Sequence, residues 1–98
     1  MSQATIVRYT AKPESAEENK RLIRAVFEEL AEKRPGGLRY SSVCLDDGVS
    51  FVHTAELPDG PNPLTQLASF QAFTADIGSR CEEGPVVTNG TVVGTYVG

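Results

Sequence analysis

A long amphipathic helical pattern, set between strand-like stretches, constrains the fold of this chain more than any other feature. Ser15 and Glu18 have the spacing of a capping box at its start, and we expect Pro35-Gly36-Gly37 to end it. Charged pairs at four-residue spacing mark a solvated face: Glu17–Arg21, Arg24–Glu28 and Glu29–Lys33. Apolar residues at three- and four-residue intervals mark the buried face: Leu22, Ile23, Val26, Phe27, Leu30 and Ala31.

Residues 4–10, before this helix, are rich in β-branched and aromatic side chains and predict the first strand. Residues 38–45 and 49–57 predict two more strands, joined by Asp46-Asp47-Gly48. Asp-Gly favours a type I′ hairpin turn, which needs positive φ at both central positions. A three-residue loop would shift the pairing by one. The two-residue turn predicts these facing pairs: Asp46–Val49, Cys44–Phe51, Ser42–His53 and Tyr40–Ala55.

A second helical pattern covers residues 64–79, with an interruption near Ser69. Asn62 before Pro63 is typical of an N-cap followed by the first helical residue. We expect Gly84-Pro85 to stop this helical region, with Cys81 near its end. Residues 86–97 are strand-like, and Asn89-Gly90 within them is consistent with either a hairpin turn or a bulge.

The predicted order is therefore β-α-β-β-α-β, in a single domain of residues 1–98. This order indicates an α+β, ferredoxin-like fold, with two helices on one face of a four-stranded antiparallel sheet. Both faces of the last strand carry apolar residues, Val87 and Val93 on one side and Val86 and Val92 on the other. A sheet that is apolar on both faces is usually covered on both. We therefore predict a homodimer packed sheet against sheet.

The charge balance excludes several classes of partner. The 98 residues include 9 Lys and Arg against 13 Asp and Glu, a net charge of −4. An acidic chain is poorly suited to sequence-independent nucleic-acid binding or to anionic lipid. No apolar run reaches the length of a membrane span, so we expect a cytoplasmic protein. Cys44 and Cys81 lack the spacing of a zinc or redox motif, and Asp46-Asp47 alone does not make a calcium loop; we expect reduced thiols and no metal.

Three short motifs resemble those of antibiotic-biosynthesis monooxygenase-type (ABM) domains. Pro35-Gly36-Gly37-Leu38-Arg39-Tyr40 resembles that family's "PG…Y" lead into the second strand, and Ala55-Glu56-Leu57 resembles the end of its third strand. Ser69-Phe70-Gln71-Ala72-Phe73 falls where the family has its "S-x-x-F" helix. The resemblance covers nearly the whole chain. It implies a dimeric α+β barrel with a small pocket in each subunit, and oxygenation of quinols, polyketide phenols or haem without a flavin or separate metal.

The chain departs from the catalytic sets of the best-known members of that family. Those sets combine Asn and Trp with His or Tyr, and this sequence contains no Trp. The family's frequent Glu-x-Trp at the end of the third strand is Glu56-Leu57-Pro58 here. These departures argue against haem degradation, and we expect no cofactor.

His53 and Tyr40 are the candidate catalytic residues. A histidine titrates near neutrality and can take a proton from a phenol, whereas a lone histidine in a strand is also a common buried structural residue. Tyr40 can donate a hydrogen bond to a bound carbonyl or can simply cover the core. The candidate substrate-binding residues are Tyr9, Arg39, Phe51, Phe70 and Phe73.

Two functions from different classes follow. The first is a cofactor-independent monooxygenase acting on a small aromatic substrate, a quinol or polycyclic phenol, in which the substrate anion reacts with oxygen. The second is a non-catalytic dimeric barrel that binds a small apolar ligand in a stress- or pathway-associated role. The missing Trp favours the second, and the full-length resemblance favours the first.

Overall fold

The structure, a computed structural model, describes residues 3–98 and confirms the ferredoxin-like fold. Four antiparallel strands form one sheet in the spatial order β2-β3-β1-β4, with the helices on one face. The strands are β1 (Gln3–Ala11), β2 (Arg39–Cys44), β3 (Ser50–Leu57) and β4 (Cys81–Thr91), and the helices are α1 (Ala16–Lys33), α2 (Ala68–Ala75) and α3 (Ile77–Arg80). Positions 1 and 2 of the predicted domain lie outside the described residues. Within residues 3–98, no helix is long and apolar enough to cross a membrane.

The first helix ends just before Pro35, as predicted, but begins differently from the sequence prediction. The capping box is wrong: Pro13–Ser15 forms a 3-10 turn that leads Ser15 into helical geometry, and its side chain caps no N–H. Glu18 instead pairs with Arg21. Pro35 disfavours helical geometry before it, and Arg34 takes the left-handed position with φ 48°. Of the three predicted ion pairs, Glu29–Lys33 is present at 3.0 Å. Glu17 pairs with Lys20 instead of Arg21, and Arg21 pairs with Glu18, both at three-residue spacing. Arg24–Glu28 is not among the ion pairs of residues 3–98.

The β2–β3 hairpin confirms the predicted register but not the predicted turn. Cys44 faces Phe51, Ser42 faces His53 and Tyr40 faces Ala55. A type I′ turn is wrong, because in the loop only Gly48 has positive φ, at 79°. Asp47 accepts hydrogen bonds from the N–H groups of Val49 and Ser50 and from the Ser50 hydroxyl. This side-chain cap holds the loop without the left-handed aspartate that type I′ requires.

The second helical region is three short elements rather than one helix. Asn62 caps the region as predicted, with its Oδ1 accepting from Leu64 N at 2.9 Å, but the element that it starts is a 3-10 turn, Pro63–Gln66. Extended backbone at Leu67 separates this turn from α2, and Asp76 separates α2 from α3. The predicted interruption near Ser69 therefore lies at Leu67, two residues earlier.

The last strand starts earlier and ends earlier than predicted. Cys81 begins β4, so Gly84-Pro85 lies inside the strand and does not stop a helix. The register with β1 shifts between Arg8–Val86 and Thr10–Glu83, which places the irregularity at Gly84. Asn89 and Gly90 form neither a turn nor a bulge, since they pair regularly with Thr5 and Ala4. Residues 92–97, predicted as strand, have no regular secondary structure.

The sheet has one covered face and one open face. The covered face and the helices share a core that includes Tyr9, Phe51, Phe73, Ile23 and Val26. On the open face, cross-strand pairing places Val43, Val52, Arg8 and Val86 in one transverse row. Val43, Leu45 and Val86 are about half exposed. The open face is therefore partly apolar, as the sequence predicts.

Candidate functional site

His53 lies at the centre of a hydrogen-bonded group on the covered face of the sheet. Its side chain is 3% exposed. Nδ1 lies 2.9 Å from the Tyr40 hydroxyl on β2, and Nε2 lies 2.8 Å from the Tyr9 hydroxyl on β1. The rings of both tyrosines are roughly parallel to the imidazole, with ring centres 5.4 Å from it for Tyr9 and 6.0 Å for Tyr40. Three strands therefore fix one imidazole between two phenols.

The group extends through α1 to the end of α3. Asn19 Nδ2 donates to the Tyr9 hydroxyl at 2.8 Å, and Arg80 Nε donates to Asn19 Oδ1 at 3.1 Å. Arg80 Nη2 also donates to the Phe73 carbonyl at 2.6 Å, and its guanidinium lies 5.4 Å from the centre of the Phe73 ring. Asn19 is 0% and Arg80 is 6% exposed. A buried cation is costly, and these contacts compensate for part of its lost hydration.

Burial sets the protonation of this group. It lowers the pKa of His53 to about 4, so the imidazole is neutral at pH 7. Burial raises the pKa of Tyr9 to about 12, against an opposing effect of the Asn19 hydrogen bond. It also raises the pKa of Tyr40 well above its usual range. The site at neutral pH therefore contains two protonated phenols and one uncharged imidazole.

A cavity of about 240 Å³ lies beside this group, between the sheet and the second helical region. Tyr40 and His53 form part of its wall, and the rest is mainly apolar, including Phe70, Phe73, Ile77, Leu64, Val7 and Val87. An open polar depression shares three lining residues with the cavity: Thr5, Leu57 and Asn62. These three mark where the cavity meets the surface. The cavity can take a small apolar molecule and place it against the Tyr40–His53 pair.

The predicted site residues divide into three groups. His53, Tyr40, Phe70 and Phe73 line one cavity, as the candidate roles require. Tyr9 and Phe51 are buried behind it: Tyr9 reaches the cavity only through His53, and Phe51 stacks on Tyr9 at 5.3 Å. Arg39 lies opposite Glu56 in the β2–β3 register and is exposed on the open face, so it does not line the cavity.

Asn19 and Arg80 are members of the group that we did not single out in the sequence. Asn19 lies four residues before Ile23 and seven before Val26, which places it on the apolar stripe of α1. Arg80 follows Phe73 and Ile77 at the same helical spacing. A polar residue in an apolar helical register is a signal that could have identified both.

The two thiols and the acidic side chains form no metal site within residues 3–98, where no cluster of three or more potential ligands is present. Cys44 and Cys81 are both free. Burial raises the pKa of the Cys81 thiol, which keeps it protonated. Cys81 begins β4 directly after Arg80, the last residue of α3, so it lies at the end of the helical region as predicted.

Comparison with solved structures identifies the fold, whereas no protein-family model and no curated protein matches the sequence. Rv0793 of Mycobacterium tuberculosis superposes with a TM-score of 0.75 at 16% identity, over 99% of this chain and 100% of that one. An antibiotic biosynthesis monooxygenase gives a TM-score of 0.72 at 19% identity, over 94% and 99%. NE2512 of Nitrosomonas europaea, a protein of unknown function, gives 0.74 at 16%, over 99% and 94%. The chain has an ABM-like fold.

Proposed function

We propose that the protein is a cofactor-independent monooxygenase that oxidises a small aromatic quinol or phenol. The observation that carries this proposal is the Tyr40–His53 pair, 2.9 Å apart, on the wall of an apolar cavity. The similarity to a solved antibiotic biosynthesis monooxygenase supports the same reaction class by analogy of fold.

The size of the cavity limits the substrate. An apolar cavity of roughly 150 Å³ holds one benzene ring. The cavity beside His53 measures about 240 Å³ and therefore suits an aromatic of one or two rings. Within the proposed substrate class, this favours a two-ring quinol over a larger polycyclic phenol. Phe70 and Phe73, with ring centres 6.2 Å apart, supply aromatic contacts for such a ring system.

In the proposed reaction the phenolate form of a hydroquinone reacts directly with O₂. A C–O bond forms at a ring carbon and the O–O bond breaks. The hydroquinone loses two hydrogens and gains one oxygen atom, so the products are a hydroxyquinone and one water molecule. The quinol supplies all four electrons. The chain's own contribution is to exclude water around the ring and to stabilise the phenolate oxygen by hydrogen bonding at Tyr40.

His53 is better suited to orienting the Tyr40 hydroxyl than to acting as a base. Both of its ring nitrogens already have tyrosine partners, and its pKa is about 4. A base of that pKa does not hold a phenol's proton at neutral pH. We therefore assign His53 to the orientation of Tyr40, with the substrate proton released to solvent.

The same observation favours a second candidate, a non-catalytic barrel that binds a small aromatic ligand. The apolar cavity is sufficient to bind such a ligand. The imidazole beside it has hydrogen-bond partners on both nitrogens and therefore supplies no free base. In that case the cavity and Tyr40 would recognise the ligand without promoting its reaction with oxygen.

Oxygen consumption with 1,4-naphthohydroquinone tests the proposal. Spontaneous oxidation of this quinol yields naphthoquinone and hydrogen peroxide, whereas monooxygenation yields hydroxynaphthoquinone and water. We expect the wild-type protein to produce the hydroxylated product without peroxide, and Tyr40→Phe to lower that rate. Saturable binding with only the spontaneous products would establish the binding function instead. The absence of both binding and turnover would contradict both candidate functions.

We also propose that the protein is a homodimer in which two open sheet faces pack together. The transverse row Val43, Val52, Arg8 and Val86 supports this, because a second copy would remove half-exposed valines from water. A cytoplasmic location, expected from the lack of an apolar run of membrane-spanning length, stays a prediction.

A further inference from the structure

We propose that Asn19 and Arg80 are positioning residues that set the direction of hydrogen bonding through Tyr9 and His53, so that the Tyr40 hydroxyl donates into the cavity. The consequence is a preference for ligands that present an acceptor oxygen to Tyr40. The identity of the cavity as the ligand site rests on the proposed function, but the hydrogen-bond direction does not.

Arg80 sets the direction of the first hydrogen bond, because a guanidinium can only donate hydrogen bonds. Its Nε lies 3.1 Å from the Asn19 side chain, so the Asn19 atom that faces it must be the oxygen. The amide nitrogen of Asn19 then faces Tyr9, 2.8 Å from the hydroxyl, and donates to it. The buried Arg80 cation thereby fixes the orientation of the Asn19 amide. Without Arg80, the amide could flip and exchange the positions of its oxygen and nitrogen.

Tyr9 makes the next hydrogen bond in the chain. Its oxygen accepts from Asn19, and its single hydroxyl proton needs an acceptor in a buried environment. His53 Nε2, at 2.8 Å, is that acceptor. A neutral imidazole carries one proton, so accepting at Nε2 places the proton on Nδ1.

The last hydrogen bond in the chain joins His53 to Tyr40 at the cavity wall. His53 Nδ1–H donates to the Tyr40 oxygen at 2.9 Å, which leaves the Tyr40 hydroxyl proton without a partner in this chain of bonds. Tyr40 lines the cavity, so that proton is available to a bound ligand. With the opposite direction, Tyr40 would donate to His53 and could only accept from a ligand. The direction of the bonds therefore decides between acceptor and donor ligands.

The wild-type protein tests this directly by two-bond ¹H–¹⁵N NMR of the imidazole. The chain contains a single histidine, so one set of signals reports the tautomer once any histidine tag is removed. We expect Nδ1 to carry the proton at pH 7 and Nε2 to be unprotonated, with no ligand present. A proton on Nε2 would overturn the proposal whatever the protein's function.

Asn19→Asp tests the role of the amide. The new carboxylate only accepts, so it takes hydrogen bonds from both Arg80 and Tyr9, and Tyr9 no longer donates to His53. We expect the imidazole proton to move from Nδ1 to Nε2. Asn89→Asp is the matched control, because Asn89 is exposed, accepts one hydrogen bond from Thr5, and lies outside the chain of bonds. An unchanged tautomer in a folded Asn19→Asp protein would contradict the proposal.

Ligand binding supplies a second measurement. 1,4-Naphthoquinone presents only acceptor oxygens, and naphthalene has the same rings without them. The wild-type and Asn89→Asp proteins should prefer naphthoquinone by roughly threefold to tenfold, the value of one hydrogen bond. Asn19→Asp should lose that preference while still binding naphthalene. If Asn19→Asp keeps the preference for naphthoquinone although its tautomer is reversed, the role of Tyr40 is refuted. If the wild-type protein binds neither probe, the proposed ligand site is contradicted, and the tautomer result still stands.

Discussion

Glu29 on α1 accepts two hydrogen bonds from Ser69 in the first turn of α2, one from the backbone N–H at 2.9 Å and one from the hydroxyl at 2.6 Å. Lys33 lies 3.0 Å from its other oxygen. The carboxylate thus caps a helix 40 residues away in sequence, where a negative charge is favourable. This contact joins α1 to α2, the helix whose Phe70 and Phe73 line the cavity.

Removing the Glu29 charge should make the stability of the protein depend less on pH in the acid range. The Ser69 hydrogen bonds hold the folded pKa of Glu29 at about 2, below its ordinary value of 4.5. A lowered folded pKa means that its stabilisation is complete above about pH 4.5 and is lost as pH falls towards 2. Thermal unfolding midpoints measured across this range should fall less steeply for Glu29→Gln than for wild type. Glu28→Gln, an exposed neighbour, is the control, and identical slopes in all three proteins would contradict the assignment.

The register that brings His53 to its partners was only partly predictable. The hairpin pattern places Ser42 opposite His53 and so Tyr40 two residues along the same face, because side chains alternate along a strand. The pairing of β1 with β3, which brings Tyr9 to His53, joins residues 44 apart in sequence. No local pattern specifies that pairing, since it depends on the packing of the whole sheet.

The second helical region and β4 show where local patterns fail. The helical period from Leu64 to Ile77 is real, but tertiary packing interrupts it at Leu67 and Asp76. Cys81 joins the sheet because β1 continues to Ala11 and offers it a partner, although the local sequence there does not favour a strand. Asn19 and Arg80 could be recognised as polar residues in apolar registers, but their contact depends on where α3 ends.

The buried imidazole should make the protein sensitive to mild acid. Burial lowers the folded pKa of His53 to about 4 from 6.5, so its contribution is complete above about pH 6.5 and is lost as pH falls towards 4. The difference between these two pKa values corresponds to a loss of on the order of 3 kcal/mol in the free energy of unfolding between pH 6.5 and pH 4. Urea unfolding of wild type from pH 7.5 to 4.5 should show this decline. His53→Gln should be less stable at pH 7.5 but nearly independent of pH in the same range, and an equal decline would refute the assignment.

The two tyrosine partners of His53 should have separable roles. Tyr9→Phe leaves both the Asn19 amide and the His53 Nε2 without a partner in the core, and should cost roughly 1–3 kcal/mol in the free energy of unfolding. Tyr40→Phe leaves His53 Nδ1 beside the cavity, where water can replace the phenol, and should cost less stability. Urea unfolding measures the first effect, and naphthoquinone affinity should fall mainly in Tyr40→Phe. A larger loss of stability in Tyr40→Phe would reverse these roles.

Gly84 should be far less tolerant of a side chain than Gly90 in the same strand. Gly84 has φ 84°, and a Cβ there would lie 2.9 Å from the Arg8 carbonyl oxygen and 3.1 Å from the Tyr9 Cβ. Gly84→Ala should therefore destabilise the protein by roughly 1–3 kcal/mol. At Gly90 no atom lies within 4 Å of the new Cβ, so Gly90→Ala should be neutral or stabilising by up to about 1 kcal/mol. Urea unfolding of the pair checks this, and equal effects would contradict the close packing of β4 against Tyr9.

A charge on the open sheet face should dissociate the proposed dimer without unfolding the chain. Val43 is 50% exposed on the edge strand β2, so Val43→Lys removes little packing within one subunit. In a sheet-to-sheet dimer the same lysine would be buried opposite a row that already contains Arg8, where desolvation and like charge oppose association. Sedimentation velocity at micromolar concentration should give twice the 10.5 kDa chain mass for wild type and a single chain mass for Val43→Lys. Ala72→Lys, on the exposed side of α2, should stay dimeric. A monomeric wild type would refute the sheet-to-sheet assembly, and a dimeric Val43→Lys would place the interface elsewhere.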